Sequence, residues 1–536
     1  MNTTATLIVI CLFIIGCSHY QISKKGISIP NKPGKYPKVT EENQLRGELT
    51  PYRTCYDVSF YDLDIELDIE EKSISGNCQI HARALTSFDT LQVDLFKNME
   101  ILSIQINNEN STFYRKHNAV FIETPRVEKG DNFEISIQYE GVPIKAKNPP
   151  WDGGFVWKKD QNGNPFIGVA CEGIGASSWW PNKDHPSDEP DSARLSITVP
   201  DTLIAVGNGQ LESINNTDST ATFTWLVQNP INNYNITLNI GDYVIISDTL
   251  INSSGVQKLN HYVLSYNEET AQRYFPQVRE VIHFFEKVFG EYPFWKDGYK
   301  LVETPYAGME HQSAIAFGNK YTISGYNYMY DLVDYIILHE TAHEWWGNSL
   351  TACDGADVWL HESFATYSEV LYVEEKLGVL VSIDYLKKKR PYISNKLPMV
   401  GPRDVNYWGF DDVYSKGAWV LHTLRSVIND DELFFKLIKE SQREFRHSVV
   451  CTEEFIKFID KETNMNLDYF FQQYLFDRKP PVFEYVQDDS TFHYKWSGVH
   501  DKFIMPIDIM INKDRIRLHP TAQYQSLSIK NHSLIE

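Results

Sequence analysis

Two histidines and a glutamate near the middle of the 536-residue chain have the types and spacing of a metal site. The stretch LVDYIILHETAHEWWGNSL places His339 and His343 four residues apart, with Glu340 directly after the first. On a helix these histidines lie on one face, so their imidazoles can bind one Zn²⁺ ion. Glu340 lies about 100° further round, from where its carboxylate can reach a water molecule on the metal.

A catalytic zinc ion needs a third protein ligand and an open fourth position. The stretch VWLHESFATYSEV offers Glu362 after eighteen intervening residues, a distance that suits a second helix packed against the first. Glu369 lies two turns further along and can accept a hydrogen bond from a ligating histidine, but an exposed helix carboxylate is an equally good interpretation. The HExxH pattern also occurs by chance, and the downstream glutamate in a helical context favours the metal site.

The elements that would position these residues follow from periodicity. From about Leu49 to Ile245 apolar residues alternate with polar ones, most clearly in DLDIELDI and again in ITLNI (236–240), which predicts half-buried antiparallel strands. Near Ser265 the spacing of the apolar residues changes to that of a helix. One face of this predicted helix is apolar and consists of Val278, Val281, Ile282, Phe285, Val288 and Phe289. Gly290 then predicts the end of that helix.

Helical patterns continue through Phe476, and alternation returns from Pro480. The predicted fold class is therefore multidomain α+β. It has an N-terminal antiparallel β domain over residues 49–245, a mostly helical domain over 246–479 and a short C-terminal β-sandwich segment over 480–536.

Composition limits the classes of function. Apolar residues make up 42% of the chain, enough for large cores, and the net charge is −21. An acidic surface argues against binding to nucleic acid and favours a solvated protein.

The N-terminus predicts export. The apolar run from Leu7 to Ile15 is too short to span a bilayer but fits the core of a signal peptide. It ends in IIGC, which resembles the bacterial lipobox, and that resemblance implies a lipid anchor on Cys17. We therefore expect residues 1–17 to be a signal, residues 18–48 a tether, and the protein to be exported and membrane-anchored at the cell envelope. No Lys or Arg precedes the run, so an ordinary signal with a chance cysteine, or a cytosolic start, stays open.

Five cysteines follow the predicted signal, and no pair has CxxC spacing, which argues against a thiolate metal site. An odd number in an exported protein leaves at least one free thiol. The sequence does not assign a disulfide pair.

Four stretches in order resemble the gluzincin zinc aminopeptidases, the family of membrane alanyl aminopeptidase and leukotriene hydrolase. Besides HExxH with its downstream glutamate, YAGMEHQSA resembles the family's exopeptidase motif, with Gly308, Met309 and Glu310 in place. The stretch VYSKGAWVL resembles the segment of the catalytic tyrosine, here Tyr414, and CEGIGASSWWPNKDHPSDEPDS places Glu172 where the family helps to bind the substrate's amino end.

The resemblance implies a thermolysin-like catalytic domain and a zinc aminopeptidase acting on peptides with a free N-terminus. One Zn²⁺ would be held by His339, His343 and Glu362. Glu340 would be the general base, Tyr414 would stabilise the oxyanion, and Glu172 with Glu310 would bind the substrate amine. No protein partner is inferred.

Three residues depart from the family pattern, and two other functions stay open. His311 stands where the family usually has Asn, and His361 and Ser363 replace Asn and Gly around the third ligand. A thermolysin-like endopeptidase shares the metal motif without needing Glu310. A catalytically silent peptide-binding module could use the same fold.

Overall fold

Strands form the first half of the chain and helices most of the second, as the change in periodicity predicts. The computed structural model describes residues 7–8, 35–36, 38–322, 332–407, 412–487 and 490–530. Cys17, most of the predicted signal and the first part of the predicted tether lie outside these residues. Among the helices in the described ranges, none has both the length and the apolar character needed to cross a bilayer.

The bounds of the elements are as follows. The strands are β1 (Leu7–Ile8), β2 (Tyr56–Asp68), β3 (Ser73–Ala84), β4 (Phe88–Asp94), β5 (Met99–Ile106), β6 (Glu109–Asn110), β7 (Phe113–Lys116), β8 (Ala119–Val127), β9 (Asn132–Gly141), β10 (Gly154–Lys159), β11 (Pro165–Ala170), β12 (Ser192–Pro200), β13 (Ile204–Gly207), β14 (Gln210–Asn216), β15 (Thr220–Val227), β16 (Leu238–Gly241), β17 (Tyr243–Asn252), β18 (Gly255–Leu264), β19 (Leu301–Glu303), β20 (Gly308–Met309), β21 (Ile315–Phe317), β22 (Leu350–Ala352), β23 (Ser448–Val450), β24 (Val482–Gln487), β25 (Thr491–Ser497), β26 (Ile507–Ile511), β27 (Asp514–Leu518) and β28 (Gln525–Ser528). The α-helices are α1 (Glu41–Gly47), α2 (Pro51–Thr54), α3 (Glu268–Tyr274), α4 (Gln277–Phe289), α5 (Tyr335–Ala342), α6 (Trp359–Leu377), α7 (Val379–Lys389), α8 (Ser415–Ile428), α9 (Asp431–Glu444), α10 (Thr452–Thr463) and α11 (Asp468–Phe471).

The N-terminal β domain is built on an eight-stranded sheet in the order β14-β15-β12-β2-β3-β9-β5-β6. In β2, Leu63, Ile65 and Leu67 are buried while Asp64 and Glu66 are exposed, which confirms the predicted alternation. The sheet is antiparallel except where β12 pairs with β2 in parallel register. Smaller sheets, β10-β11-β16-β13 and β4-β8-β7, pack around it.

The prediction for ITLNI is wrong in one respect. The strand β16 lies between β11 and β13, and it is buried on both faces. Thr237 and Asn239, the residues expected to face solvent, are both 0% exposed. Alternation of residue type therefore does not imply alternation of burial when both faces of a sheet are covered.

The helical domain begins with a five-stranded sheet in the order β17-β18-β19-β21-β20. The predicted boundary at residue 245 lies inside β17. Helix α4 buries its whole predicted apolar face and ends at Gly290, which has a φ of +104° that suits glycine. Helix α6 packs against both α5 and α8, so it lies at the centre of this domain.

The C-terminal strands share the core of the helical domain. Phe483, Tyr494 and Trp496 are buried in the same apolar cluster as helices α4 to α10, whereas the β domain has its own cluster. The segment therefore extends the catalytic domain's core and does not form a second one of its own.

Helix α1 lies within the segment that the sequence predicts to be a tether. Arg46 donates to the Ile174 carbonyl of the β domain, and the Asn43 carbonyl accepts the N–H of Asn406, in the helical domain, at 2.9 Å. The tether prediction is therefore wrong for α1, which joins the two domains. Its single apolar residue, Leu45, gives no periodicity from which a helix could be predicted.

A disulfide joins Cys353 to Cys451. The free thiols among the described residues, Cys55, Cys78 and Cys171, are all buried. The expectation of at least one free thiol is confirmed.

Candidate metal centre

The helix that carries the two histidines starts at a buried carboxylate. Asp334 accepts hydrogen bonds from the backbone N–H groups of Ile336 (2.8 Å) and Ile337 (3.2 Å), which would otherwise lack partners at the start of α5. His343 lies just after the last residue of α5 but keeps right-handed helical geometry. The four-residue spacing therefore still places both imidazoles on one face.

Three predicted ligand atoms converge on one point. The Nε2 atoms of His339 and His343 lie 3.3 Å apart, and Glu362 Oε2 lies 3.4 and 3.5 Å from them. Tetrahedral zinc with bonds of about 2.0–2.1 Å places its ligand atoms roughly 3.3–3.4 Å apart. Glu362 Oε2 is buried and accepts no hydrogen bond from any described residue. The donor set therefore fits one Zn²⁺ ion.

Each histidine is held by its other nitrogen. His339 Nδ1 lies 2.9 Å from Glu369 Oε1, and His343 Nδ1 lies 2.9 Å from the Trp346 carbonyl. These acceptors place the proton on Nδ1 and leave Nε2 as the ligand atom. Glu369 is 0% exposed, so the interpretation as an exposed helix carboxylate is wrong.

Glu340 lies beside the ligands and against a strand. A Cβ on Gly308 would come within 2.6 Å of Glu340 Oε1 and 2.8 Å of Ile336 Cγ2, so a larger residue at position 308 would force these side chains to shift. Burial, together with the charges of Glu310 and Glu362, raises the pKa of Glu340 to about 7, against the lowering effect of the two histidines. A carboxyl group with this pKa can exchange a proton at neutral pH.

Two further carboxylates lie close to the metal ligands. Glu310 is 1% exposed, and its Oε1 accepts a hydrogen bond from the Tyr234 hydroxyl at 3.1 Å. Glu172 Oε1 is buried and has no hydrogen-bond partner among the described residues. Burial, and then the charge of Glu310, raises the pKa of Glu172 well above its usual value. Burial and the charge of Glu362 likewise raise the pKa of Glu310, against His343. Such a pair favours a cationic ligand.

Tyr414 reaches the site from the start of α8. Its hydroxyl donates to Glu362 Oε1 at 2.7 Å, on the carboxylate oxygen that does not face the histidines. Burial, and then the charge of Glu362, raises the pKa of Tyr414 well above its usual value. The phenol therefore stays protonated at neutral pH and acts as a hydrogen-bond donor. The β domain supplies Glu172 and the helical domain supplies the other predicted site residues apart from Cys17, so the site lies where the two domains meet.

Two family models match the chain. The Peptidase family M1 domain matches residues 274–474, and the Peptidase M1 N-terminal domain matches residues 58–234. The first match contains the ligands and Glu340, and the second contains Glu172.

The chain belongs to peptidase family M1.

Relatives and solved structures agree with this family. Probable aminopeptidase 2 of Sulfurisphaera tokodaii is 22% identical over 88% of this chain and 61% of its own length. Leukotriene A-4 hydrolase of Xenopus laevis is 23% identical over 75% of this chain and 68% of its own length. The M1 zinc metallopeptidase of Deinococcus radiodurans superposes with a TM-score of 0.69 at 20% identity, covering 80% of this chain and 94% of the other. The chain thus spans about three fifths of the Sulfurisphaera protein, and the predicted fold class is confirmed.

Three residues depart from the M1 pattern, His311, His361 and Ser363, and the structure shows the surroundings of each. His361 Nε2 accepts the backbone N–H of Ala352 at 2.8 Å, which ties β22 to α6. The Ser363 hydroxyl donates to the Val413 carbonyl at 2.7 Å, next to Tyr414. His311 is fully buried, and neither ring nitrogen has a partner among the described residues. Burial lowers the pKa of His311 to about 3, so it is neutral.

Sequence reasoning missed Tyr234, which contacts Glu310. It lies in the stretch NNYNITLN, which has no motif, and 76 residues separate it from its partner. No signal in a single sequence joins the two.

We expect Glu362→Gln to lose zinc and Glu340→Gln to keep it. Glu362→Gln removes the negative charge of one of the three zinc ligands, whereas Glu340 is not one of those ligands. Metal analysis of the purified variants after dialysis measures this, with one zinc per chain expected in the wild type and in Glu340→Gln. Full zinc in Glu362→Gln, or loss from both variants, would contradict the assignment of ligands.

Proposed function

We propose that this M1 family member is a zinc aminopeptidase that removes the N-terminal residue from peptides. The observation that carries the proposal is the pair Glu172 and Glu310, two carboxylates without a basic partner in the described hydrogen bonds and ion pairs, next to a tetrahedral set of zinc ligands. A free N-terminus is a cation, and binding it between these groups sets which peptide bond reaches the metal.

The residues around the ligands divide the chemistry among them. When bound, zinc acts as a Lewis acid that activates water and polarises the scissile carbonyl. Glu340 accepts the proton of the attacking water and passes it to the leaving amine, which its pKa near neutrality permits. The Tyr414 hydroxyl leaves Glu362 Oε1 and donates to the carbonyl oxygen as that oxygen becomes negative.

A solved relative provides a precedent for the substrate. The Deinococcus radiodurans M1 zinc metallopeptidase has been solved with a Tyr-Ser-Ala substrate, with a TM-score of 0.67 and 20% identity to this chain. That tripeptide is short and has the general form of the substrate proposed here.

An endopeptidase would have no use for the two carboxylates Glu172 and Glu310. An enzyme that cuts within a chain must accommodate peptide on both sides of the scissile bond, and buried carboxylates near the metal would lie unpaired against it. The silent-module alternative gives no role to Glu340, a buried carboxylate beside the zinc ligands, since binding alone requires no proton transfer.

We expect purified protein to hydrolyse aminoacyl amides with a free amine and to leave their N-acetylated forms intact. The acetyl group removes the charge that Glu172 and Glu310 select. Initial rates on matched pairs measure this, with a zinc chelator and Glu340→Gln as controls that abolish turnover. Equal cleavage of the acetylated forms would show an endopeptidase, and no cleavage by zinc-loaded protein would favour the binding module.

We expect Glu310→Gln to move the acid limb of kcat/KM to lower pH. The negative charge of Glu310 raises the pKa of Glu340, and Glu340 accepts a proton only when it is ionised, that is, above its pKa. Removing the charge of Glu310 therefore lowers the pKa of Glu340 and moves the limb to lower pH.

Profiles of kcat/KM from roughly pH 5 to 8, each scaled to its plateau, test this expectation. Glu310→Asp is the matched control, because it keeps the charge and should keep the limb in place. An unchanged limb in Glu310→Gln would mean that the titrating group does not sense Glu310.

We also propose that the protein is exported and anchored to the envelope by lipid on Cys17. Two observations support this. The disulfide between Cys353 and Cys451 is typical of proteins that fold outside the reducing cytosol. The apolar run before IIGC has the length of a signal-peptide core.

Labelled fatty acid fed to a bacterial expression host tests the anchor. We expect label in the wild-type protein in the membrane fraction, and neither label nor membrane association in Cys17→Ser. Cys11→Ser is the matched control, because Cys11 lies within the apolar run. Label that persists in Cys17→Ser, or a wild type without label, would contradict the anchor.

A further inference from the structure

The carboxylate behind His339 has two oxygens with different partners. Glu369 Oε1 accepts from His339 Nδ1 at 2.9 Å. Its Oε2 faces the other way and contacts Lys389 Nζ at 2.6 Å and the Tyr385 hydroxyl. One oxygen of Glu369 therefore contacts the metal ligand His339, and the other contacts side chains of a different helix.

Both of these partners belong to α7, which has no residue at the metal itself. Tyr385 is fully buried, and the Lys389 side chain is 15% exposed. The Lys389 ammonium also lies 4.9 Å from the centre of the Tyr385 ring, so the two side chains hold each other as well as Glu369. The end of α7 is thus a preformed socket for one carboxylate oxygen.

The contacts with Lys389 and Tyr385 fix the orientation of the Glu369 carboxylate. Glu369 is 0% exposed, so water does not compete for either oxygen. A carboxylate with one oxygen fixed by an ammonium and a phenol cannot rotate, and its second oxygen must then face His339. Without Lys389 the carboxylate would be buried with an uncompensated charge, a costly arrangement that it can relieve by turning away.

We propose that Lys389, together with Tyr385, is a positioning residue for zinc, because it fixes Glu369 and through it the ring of His339. Histidines in metal sites depend on the acceptor of their second nitrogen, and loss of such an acceptor typically costs roughly 10- to 100-fold in metal affinity. Lys389 acts one contact further out. The inference rests on the zinc site of the proposed function but not on the reaction assigned to it.

Zinc affinity, measured by competition with a chromophoric chelator, tests the proposal without any substrate. We expect Lys389→Met to bind zinc about 10-fold more weakly or worse, Tyr385→Phe to show a smaller loss and Lys389→Arg to stay close to the wild type. Lys387→Met is the matched control, since Lys387 lies on the same helix with an exposed side chain, and it should bind as the wild type does.

Cobalt substitution supplies a second measurement. A turned His339 ring changes the ligand field, so the visible spectrum of the Co²⁺ form should change in Lys389→Met and not in Lys387→Met. Wild-type zinc affinity in Lys389→Met would overturn the proposal, as would an equal loss in Lys387→Met. If Lys389→Met does not fold, unaltered zinc affinity in Tyr385→Phe would overturn it. Absence of peptidase activity in a protein that shows these zinc affinities would count against the reaction and not against this inference.

Discussion

The burial of negative charge around one point is the constraint on which the rest of the site depends. Five carboxylates, listed here, lie around the metal site: Glu172, Glu310, Glu340, Glu362 and Glu369. Carboxylates without a counter-charge are costly in a protein interior, and the raised pKa values of the first three reflect that cost. Lys389 forms an ion pair with Glu369. In the proposed function zinc would neutralise Glu362, and the substrate's ammonium would serve Glu172 and Glu310.

The carboxylates lie where the two domains meet. The apolar core of the β domain continues into the helical domain, because Tyr262, Leu264 and Val302 of β18 and β19 belong to the same buried cluster. Glu172 of the β domain lies near Glu310 of the helical domain, and α1 holds the segment just after Glu172 through the Ile174 carbonyl. Strand β20 of the helical domain closely approaches Glu340 at Gly308. In the proposed function, substrate selection would therefore depend on domain placement as much as on individual side chains.

The sequence predicted what depends on local spacing and missed what depends on distant contacts. Two histidines four residues apart share a helix face by geometry alone, so the metal ligands could be predicted with Glu362 added. The strand β2 followed its alternation because one face of its sheet is open, whereas β16 did not, because both of its faces are covered. Tyr234 and Lys389 contact residues 76 and 20 positions away, and no periodic pattern relates such pairs. The pairing of Cys353 with Cys451 is a contact of the same kind.

That disulfide closes a covalent ring in the middle of the catalytic domain. Its two cysteines are 98 residues apart, and the ring between them contains Glu362, Glu369, Lys389 and Tyr414, while His339 and His343 lie outside it. In the chain-entropy model, a ring of about 100 residues removes roughly 4.7 kcal/mol of freedom from the unfolded chain. Whenever the chain unfolds with this bond intact, the segment that carries Glu362 is therefore restricted. Zinc, with two ligands outside the ring and one inside, then acts as a second cross-link that ties the ring to the chain before it.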